Sequence, residues 1–189
     1  MRIVVFVRHG ESEANVRGII SSDPEKYGLT KRGVRQAEIA AEELSCLREV
    51  GELYSSPVLR ALQTAKVISE RMGKRLKVDK RLAERSFGSL EGRAMPPDNR
   101  WKLERNKGIY EWSKLRKDMY GFIKSLKSGT TVAVTHGDNM AAVCDLADRM
   151  GEQVHALKCP ANCSFVVIDA ESMTLLANGD YKIPQGAFG

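Results

Sequence analysis

Two apolar runs in this chain end in the same way. Ile3–Val7 passes directly into Arg8-His9-Gly10-Glu11, and Val132-Ala133-Val134-Thr135 passes into His136-Gly137-Asp138. The first run is β-branched and barely alternates with polar residues, the pattern of a strand buried on both faces. Open α/β sheets built from such strands place their chemistry at the strands' carboxyl ends. The chain has three histidines, His9, His136 and His155, and two of them stand at such an end with a glycine behind them. A glycine there lets the backbone come close to a ligand.

The remaining sequence supplies the helices that a buried sheet needs. Thr30 is a fitting N-cap for a helix from about Lys31 to Glu49, with Ala37, Ala40, Ala41 and Leu44 on one face and Gly51 as its stop. Leu53-Tyr54 then form a short strand ending at Ser55-Ser56. Ser56-Pro57 reads as the N-cap and first residue of a second helix, which runs to Met72 and ends at Gly73. Leu76–Val78 is a third short strand. Leu115, Met119, Phe122, Ile123 and Leu126 line one face of a helix from Trp112 to Leu126. Thr131–Thr135 follows as a strand, then a helix capped by Asp138 and reaching Met150, and closing strands near Phe165–Ile168 and Thr174–Ala177. Residues 11–29 read as a loop. Residues 86–111, with Gly88, Gly92, Pro96-Pro97 and Asn99, break the rhythm and read as a small lid. The alternation predicts an α/β fold, three-layer α/β/α with a mostly parallel central sheet and a small lid insertion. At 189 residues and 42% hydrophobic content, the chain suits a single domain over 1–189.

Composition removes several function classes. The longest clean apolar run is too short to cross a membrane and is followed at once by charge, unlike a signal peptide. A cytoplasmic location is the default expectation. Cys46, Cys144, Cys159 and Cys163 lack zinc-site spacing and read as free thiols in a reducing compartment. The net charge is +6, but the Lys and Arg residues are spread over several helices with no aromatic run among them. That distribution argues against nucleic acid as a partner and is compatible with a small anionic substrate. A homodimer is the assembly kept open.

What could the two strand-end histidines do together? A metal would want three or four ligands, and no His-x-x-x-His spacing exists. There is no Gly-x-Ser-x-Gly elbow, Walker loop or dinucleotide fingerprint. An imidazole beside an arginine suits phosphate instead. The guanidinium grips phosphoryl oxygens, and a neutral imidazole can attack phosphorus.

Arg8-His9-Gly10-Glu11-Ser12 with Asn15 resembles the nucleophile motif of the histidine phosphatase superfamily, the phosphoglycerate-mutase-like family. Five further stretches resemble that family in its own order. They are Gly28-Leu29-Thr30 with Gly33, Gln36 and Ala37; Ser56-Pro57 with Arg60, Ala61, Thr64 and Ala65; Leu82-Ala83-Glu84 with Gly88, Glu91 and Gly92; Thr135-His136-Gly137; and Asn162-Cys163-Ser164. Singly each has an ordinary structural explanation; in order they do not. The resemblance implies that His9 is the nucleophile, forming a phosphohistidine. Arg8, Arg60 and His136 clamp the phosphoryl oxygens, and Glu84 is the general acid. Asn15 donates to phosphate or substrate, and Ser12, Arg85 and Gly137 complete the expected substrate-binding set. No metal is implied.

The resemblance covers both hydrolases and mutases. Mutases that use 2,3-bisphosphoglycerate as primer usually carry a Tyr three residues after the acid and a Lys further on. Phe87 and Met95 stand there in this chain, and no adjacent arginine pair occurs in the insertion. These departures favour a phosphatase acting on a small phosphomonoester, with no cofactor. Arg85, Arg93, Arg100 and Lys102 remain as alternative grips for a substrate carboxylate. The least favoured reading is a non-catalytic phospho-ligand module, because every expected catalytic position is filled. His155 matches no motif.

Overall fold

The computed structural model describes residues 2–47, 49–96, 108–148 and 160–179. Its elements in chain order are β1 (Arg2–Arg8), α1 (Glu13–Arg17), α2 (Lys31–Ser45), β2 (Val50–Ser55), α3 (Leu59–Met72), β3 (Leu76–Val78), α4 (Trp112–Ser125), β4 (Gly129–Thr135), α5 (Gly137–Asp148), β5 (Phe165–Asp169) and β6 (Thr174–Gly179). His155, Cys159, Arg100, Lys102 and the middle of the expected lid lie outside the described residues.

The strands form one sheet in the order β3-β2-β4-β1-β5-β6. The first four are parallel, β5 runs antiparallel to β1, and β6 runs antiparallel to β5. The mostly parallel α/β sheet is therefore as expected. Side chains along each central strand alternate between two cores. Ile3, Val5, Val7, Val132, Val134, Phe165 and Val167 face α2 and α3. Val4, Phe6, Ala133, Val166 and Ile168 face α4 and α5. Both faces are buried because helices cover both, which is why β1 reads as a continuous apolar run. The helix layers form as their periodicity dictates: α2 buries Ala37, Ala40, Ala41 and Leu44, and α4 buries Leu115, Met119, Phe122 and Ile123.

Several boundaries differ from the sequence expectation, each for a local reason. Residues 11–29 are not all loop, because Ser12 and Asn15 form a capping box that opens α1, and Gly18 closes it in a left-handed conformation. Helix α2 stops at Ser45, and Gly51 lies inside β2, so it is not the helix stop. Helix α3 begins at Leu59, not at Pro57, with Val58 at its N-cap. The hydroxyl of Ser56 is instead used by His136. Helix α5 opens at Gly137, which puts Asp138 in its first turn and not at the cap.

The described parts of residues 86–111 fold back on the loop after α1. Glu91 accepts hydrogen bonds from the Ser22 amide and hydroxyl and from the Phe87 amide. Phe87 is buried with Ile20 and Leu90, whereas Met95 is exposed. Cys46 is exposed, and Cys144 and Cys163 are buried. No helix among the described residues is long and apolar enough to cross a membrane.

One contact fixes the loop after β1 against α2. Gly10 and Gly33 meet backbone to backbone, and a Cβ on Gly33 would lie 2.0 Å from the Glu11 carbonyl oxygen. The Glu11 amide also donates to Gln36 Oε1, and the Thr30 hydroxyl donates to the Glu11 carboxylate. Gly33→Ala is therefore expected to destabilise the fold by about 1–3 kcal/mol, the usual cost of overpacking. In an unobstructed helix the same change would stabilise by up to about 1 kcal/mol. Urea unfolding of the variant checks the sign.

Candidate active site

The register of β1 on β4 pairs Arg8 with Thr135. His9 and His136 each come one residue later, so they leave the sheet side by side, with ring centroids 5.2 Å apart. The His9 amide donates to the Thr135 carbonyl, continuing the ladder by one bond. On the other side of β4, the Ser56 amide donates to Val134, which brings Ser56 beside His136. Three strand ends thus converge without any long-range guidance beyond strand pairing.

Hydrogen bonding sets the state of each imidazole. His9 Nδ1 lies 2.7 Å from the Gly10 carbonyl, so Nδ1 carries the proton. The Nε2 lone pair faces the site and accepts from Arg60 Nε at 3.1 Å. Ser56 Oγ accepts from the Val58 amide and lies 2.8 Å from His136 Nε2; the nearby Glu84 carboxylate favours the tautomer in which the Ser56 hydroxyl donates to that Nε2. The proton of His136 is then on Nδ1. That atom is buried without a hydrogen-bond partner and lies 3.7 Å from the Glu84 carboxylate. Burial, and then the Arg60 and Arg8 guanidiniums, hold His9 well below the ordinary imidazole pKa of about 6.5. Burial and the same arginines, together with His9, do the same for His136.

The arginines are aimed by backbone carbonyls. Arg60, the second residue of α3, is almost fully buried; its Nη2 donates to the Ser21 carbonyl at 3.0 Å and lies 3.8 Å from Glu84 Oε2. Its Nη1 is buried with no partner. Arg8 Nη1 donates to the Pro160 carbonyl, and its Nε is likewise buried and unpartnered. Three donors, Arg8 Nε, Arg60 Nη1 and His136 Nδ1, are therefore desolvated without a matching acceptor. Buried polar groups are nearly always satisfied, and a cluster of exceptions marks a site for an acceptor-rich ligand. An oxyanion such as phosphate has that chemistry.

The structure brings together His9, Arg8, Arg60, His136 and Glu84. The other expected residues have these surroundings. Asn15 spends Oδ1 on Ser12 and on Asn162 Nδ2, which leaves its amide nitrogen as the end available to a ligand. Ser12 is buried and caps α1. Gly137 is the first residue of α5, directly behind His136. Arg85 does not join the cluster's contacts through Nε; that atom forms a buried ion pair with Asp138 at 2.7 Å.

Supporting residues appear that the sequence offered only as motif letters. Thr64 accepts from the Gly10 amide and donates to the Arg60 carbonyl, tying the loop after β1 to α3. Asn162 Nδ2 donates to the His9 carbonyl, and the Cys163 amide reaches the carbonyls of Arg8 and His9. Cys163 makes that reach in a left-handed conformation, with φ at 57°. Burial pushes the pKa of its thiol up to about 12. The roles of Thr64 and Asn162 depend on atoms distant in sequence, so spacing alone could not assign them.

Residues 4–176 match the family model of the histidine phosphatase superfamily, branch 1. This chain belongs to that superfamily. Among its relatives is a 2,3-bisphosphoglycerate-dependent phosphoglycerate mutase of Thermoplasma acidophilum, 34% identical over 187 residues, spanning 95% of this chain and 92% of that protein. Another is a candidate phosphoserine phosphatase of Hydrogenobacter thermophilus, 32% identical over 80% of this chain and 81% of that protein. The fold is that of a mycobacterial glucosyl-3-phosphoglycerate phosphatase solved with VO3, with a TM-score of 0.81 at 23% identity over 95% of this chain and 100% of that one. As a member of that superfamily, this protein is an enzyme of phosphoryl transfer.

The lowered imidazole pKa values have a consequence for stability. The unfolded chain takes up protons on these histidines first, so folding stability falls as pH drops below about 6.5 and continues to fall until the folded-state values are reached. Each histidine contributes a slope of at most about 1.4 kcal/mol per pH unit in that window. Urea unfolding across pH 7.5 to 5 should show a shallower slope once His9 and His136 are both replaced by Asn.

Proposed function

We propose that the protein hydrolyses a small phosphomonoester through a phosphohistidine on His9, without a metal. The observation that supports this most is the pairing of a neutral, outward Nε2 on His9 with three buried donors that lack acceptors. His9 Nε2 attacks phosphorus, and the P–O bond to the leaving group breaks. Arg8, Arg60 and His136 Nδ1–H hold the non-bridging oxygens, where charge must be stabilised. Arg60 Nε currently occupies the attacking lone pair, so binding must transfer that N–H to a phosphoryl oxygen. Glu84 donates its proton to the departing alkoxide. It then accepts a proton from the water that attacks the phosphohistidine, which returns His9 to its starting state.

A second reading is a mutase primed by 2,3-bisphosphoglycerate, in which phosphoglycerate takes the phosphoryl group in place of water. The Thermoplasma relative favours it. Against it stand Phe87, packed in an apolar cluster where the mutases place a Tyr, and the exposed Met95 where they place a Lys.

Hydrolysis of an aryl phosphate should continue unchanged after chelation; full loss with the chelator contradicts the metal-free reading. His9→Ala should lower turnover by at least about a thousandfold, as loss of a covalent nucleophile does. Arg60→Lys, which keeps charge but not the fork, should cost about a hundredfold or more in kcat/KM. With 3-phosphoglycerate, inorganic phosphate should form faster than 2-phosphoglycerate. Rapid isomerisation stimulated by the bisphosphate would reverse the ranking of the two readings.

A further inference from the structure

Glu84 lies on a segment that no helix or strand holds. A single 3-10 turn, Lys80–Leu82, precedes it and another, Gly88–Leu90, follows it. Yet its side chain is only 10% exposed, and its Oε2 lies 3.7 Å from His136 Nδ1 and 3.8 Å from Arg60 Nη2. Something other than regular structure must fix that position.

Three anchors do so, and all come from the residues flanking His136. The Thr135 hydroxyl donates to the Leu82 carbonyl at 2.7 Å. Asn139 Nδ2 donates to the Ala83 carbonyl at 3.1 Å. Asp138 Oδ2 accepts from Arg85 Nε at 2.7 Å, and the Arg85 amide lies 3.3 Å from Glu84 Oε1. The anchored residues are 82, 83 and 85, one on each side of Glu84 and one beyond. Thr135, Asp138, Asn139 and Arg85 are all buried, and Asn139 Oδ1 has no partner. Buried polar groups of this kind cost stability that apolar side chains would not.

We infer that Thr135, Asp138 and Asn139 are positioning residues for the Glu84 carboxylate. They tie the acid to the same strand end and helix start that carry His136. Acid and phosphate clamp then keep one spacing. This inference rests on the proposed role of Glu84 as the acid.

The test separates the two ideas by leaving group. An alkyl phosphate needs a proton on its departing oxygen, whereas dinitrophenyl phosphate leaves readily without one. Single-turnover phosphorylation of His9 is measured with glycerol phosphate and with dinitrophenyl phosphate in Asn139→Ala, Asp138→Asn and Glu84→Gln. Misplacement by 1 Å can cost about a hundredfold, so a loss of roughly tenfold or more is expected with glycerol phosphate in the first two variants. With dinitrophenyl phosphate they should stay within about twofold of the parent, because positioning then has no proton to deliver. Thr135→Val, which removes one anchor at nearly constant volume, should show the same selective loss and serves if Asn139→Ala does not fold. Equal losses on both donors, or none on either, overturn the positioning role while Glu84→Gln remains selective. If Glu84→Gln itself slows both donors equally, the acid assignment fails and this inference fails with it.

Discussion

The parallel pairing of β1 with β4 decides where everything else in this protein can go. Because Arg8 lies opposite Thr135, the next residue on each strand is a histidine, and the two imidazoles emerge in contact. A shift of one residue would turn every side chain of β1 to the opposite face, exchanging Val4 and Phe6 with Ile3, Val5 and Val7 between two differently shaped cores. The register of the site is therefore protected by the packing of both cores. Catalytic geometry and fold stability are one constraint at this point.

The second constraint is electrostatic. Two guanidiniums and two imidazoles lie close together and largely out of water. Burial and the neighbouring positive charge hold both imidazole pKa values down, which favours the neutral state in which His9 keeps a lone pair on Nε2. The donors that lack partners, Arg8 Nε, Arg60 Nη1 and His136 Nδ1, are a cost to the folded chain that an oxyanion offsets on binding. Donors held this way suit an acceptor-rich oxyanion through desolvation as well as through charge. What distinguishes one phosphate ester from another must then come from residues beyond this cluster.

How much of this could be read from the sequence depends on the range of the interaction involved. The strand–His–Gly endings, the helical faces of α2 and α4 and the sheet's mostly parallel character rest on local periodicity, and they appear where expected. The clustering of His9, Arg8, Arg60, His136 and Glu84 was legible through the ordered motifs. Helix α1 was missed because five residues carry no period, although Ser12 and Asn15 stand at capping-box spacing. Ser56 was read as a helix cap from its neighbour Pro57, but its hydroxyl serves His136, 80 residues away. Arg85 was read as a ligand for substrate; a buried partner on α5, Asp138, takes its Nε. Side-chain contacts between distant segments leave no trace in spacing, so spacing alone does not give these partners.

The proposed mechanism requires one chemical species, a phosphoryl group on Nε2 of His9. Rapid quench under alkaline conditions, followed by peptide mapping and phosphorus NMR, observes it directly. The account predicts one acid-labile, base-stable phosphate on the peptide carrying His9, bonded at Nε2, and none in His9→Ala. A label on another residue, or a label that persists in His9→Ala, would contradict it.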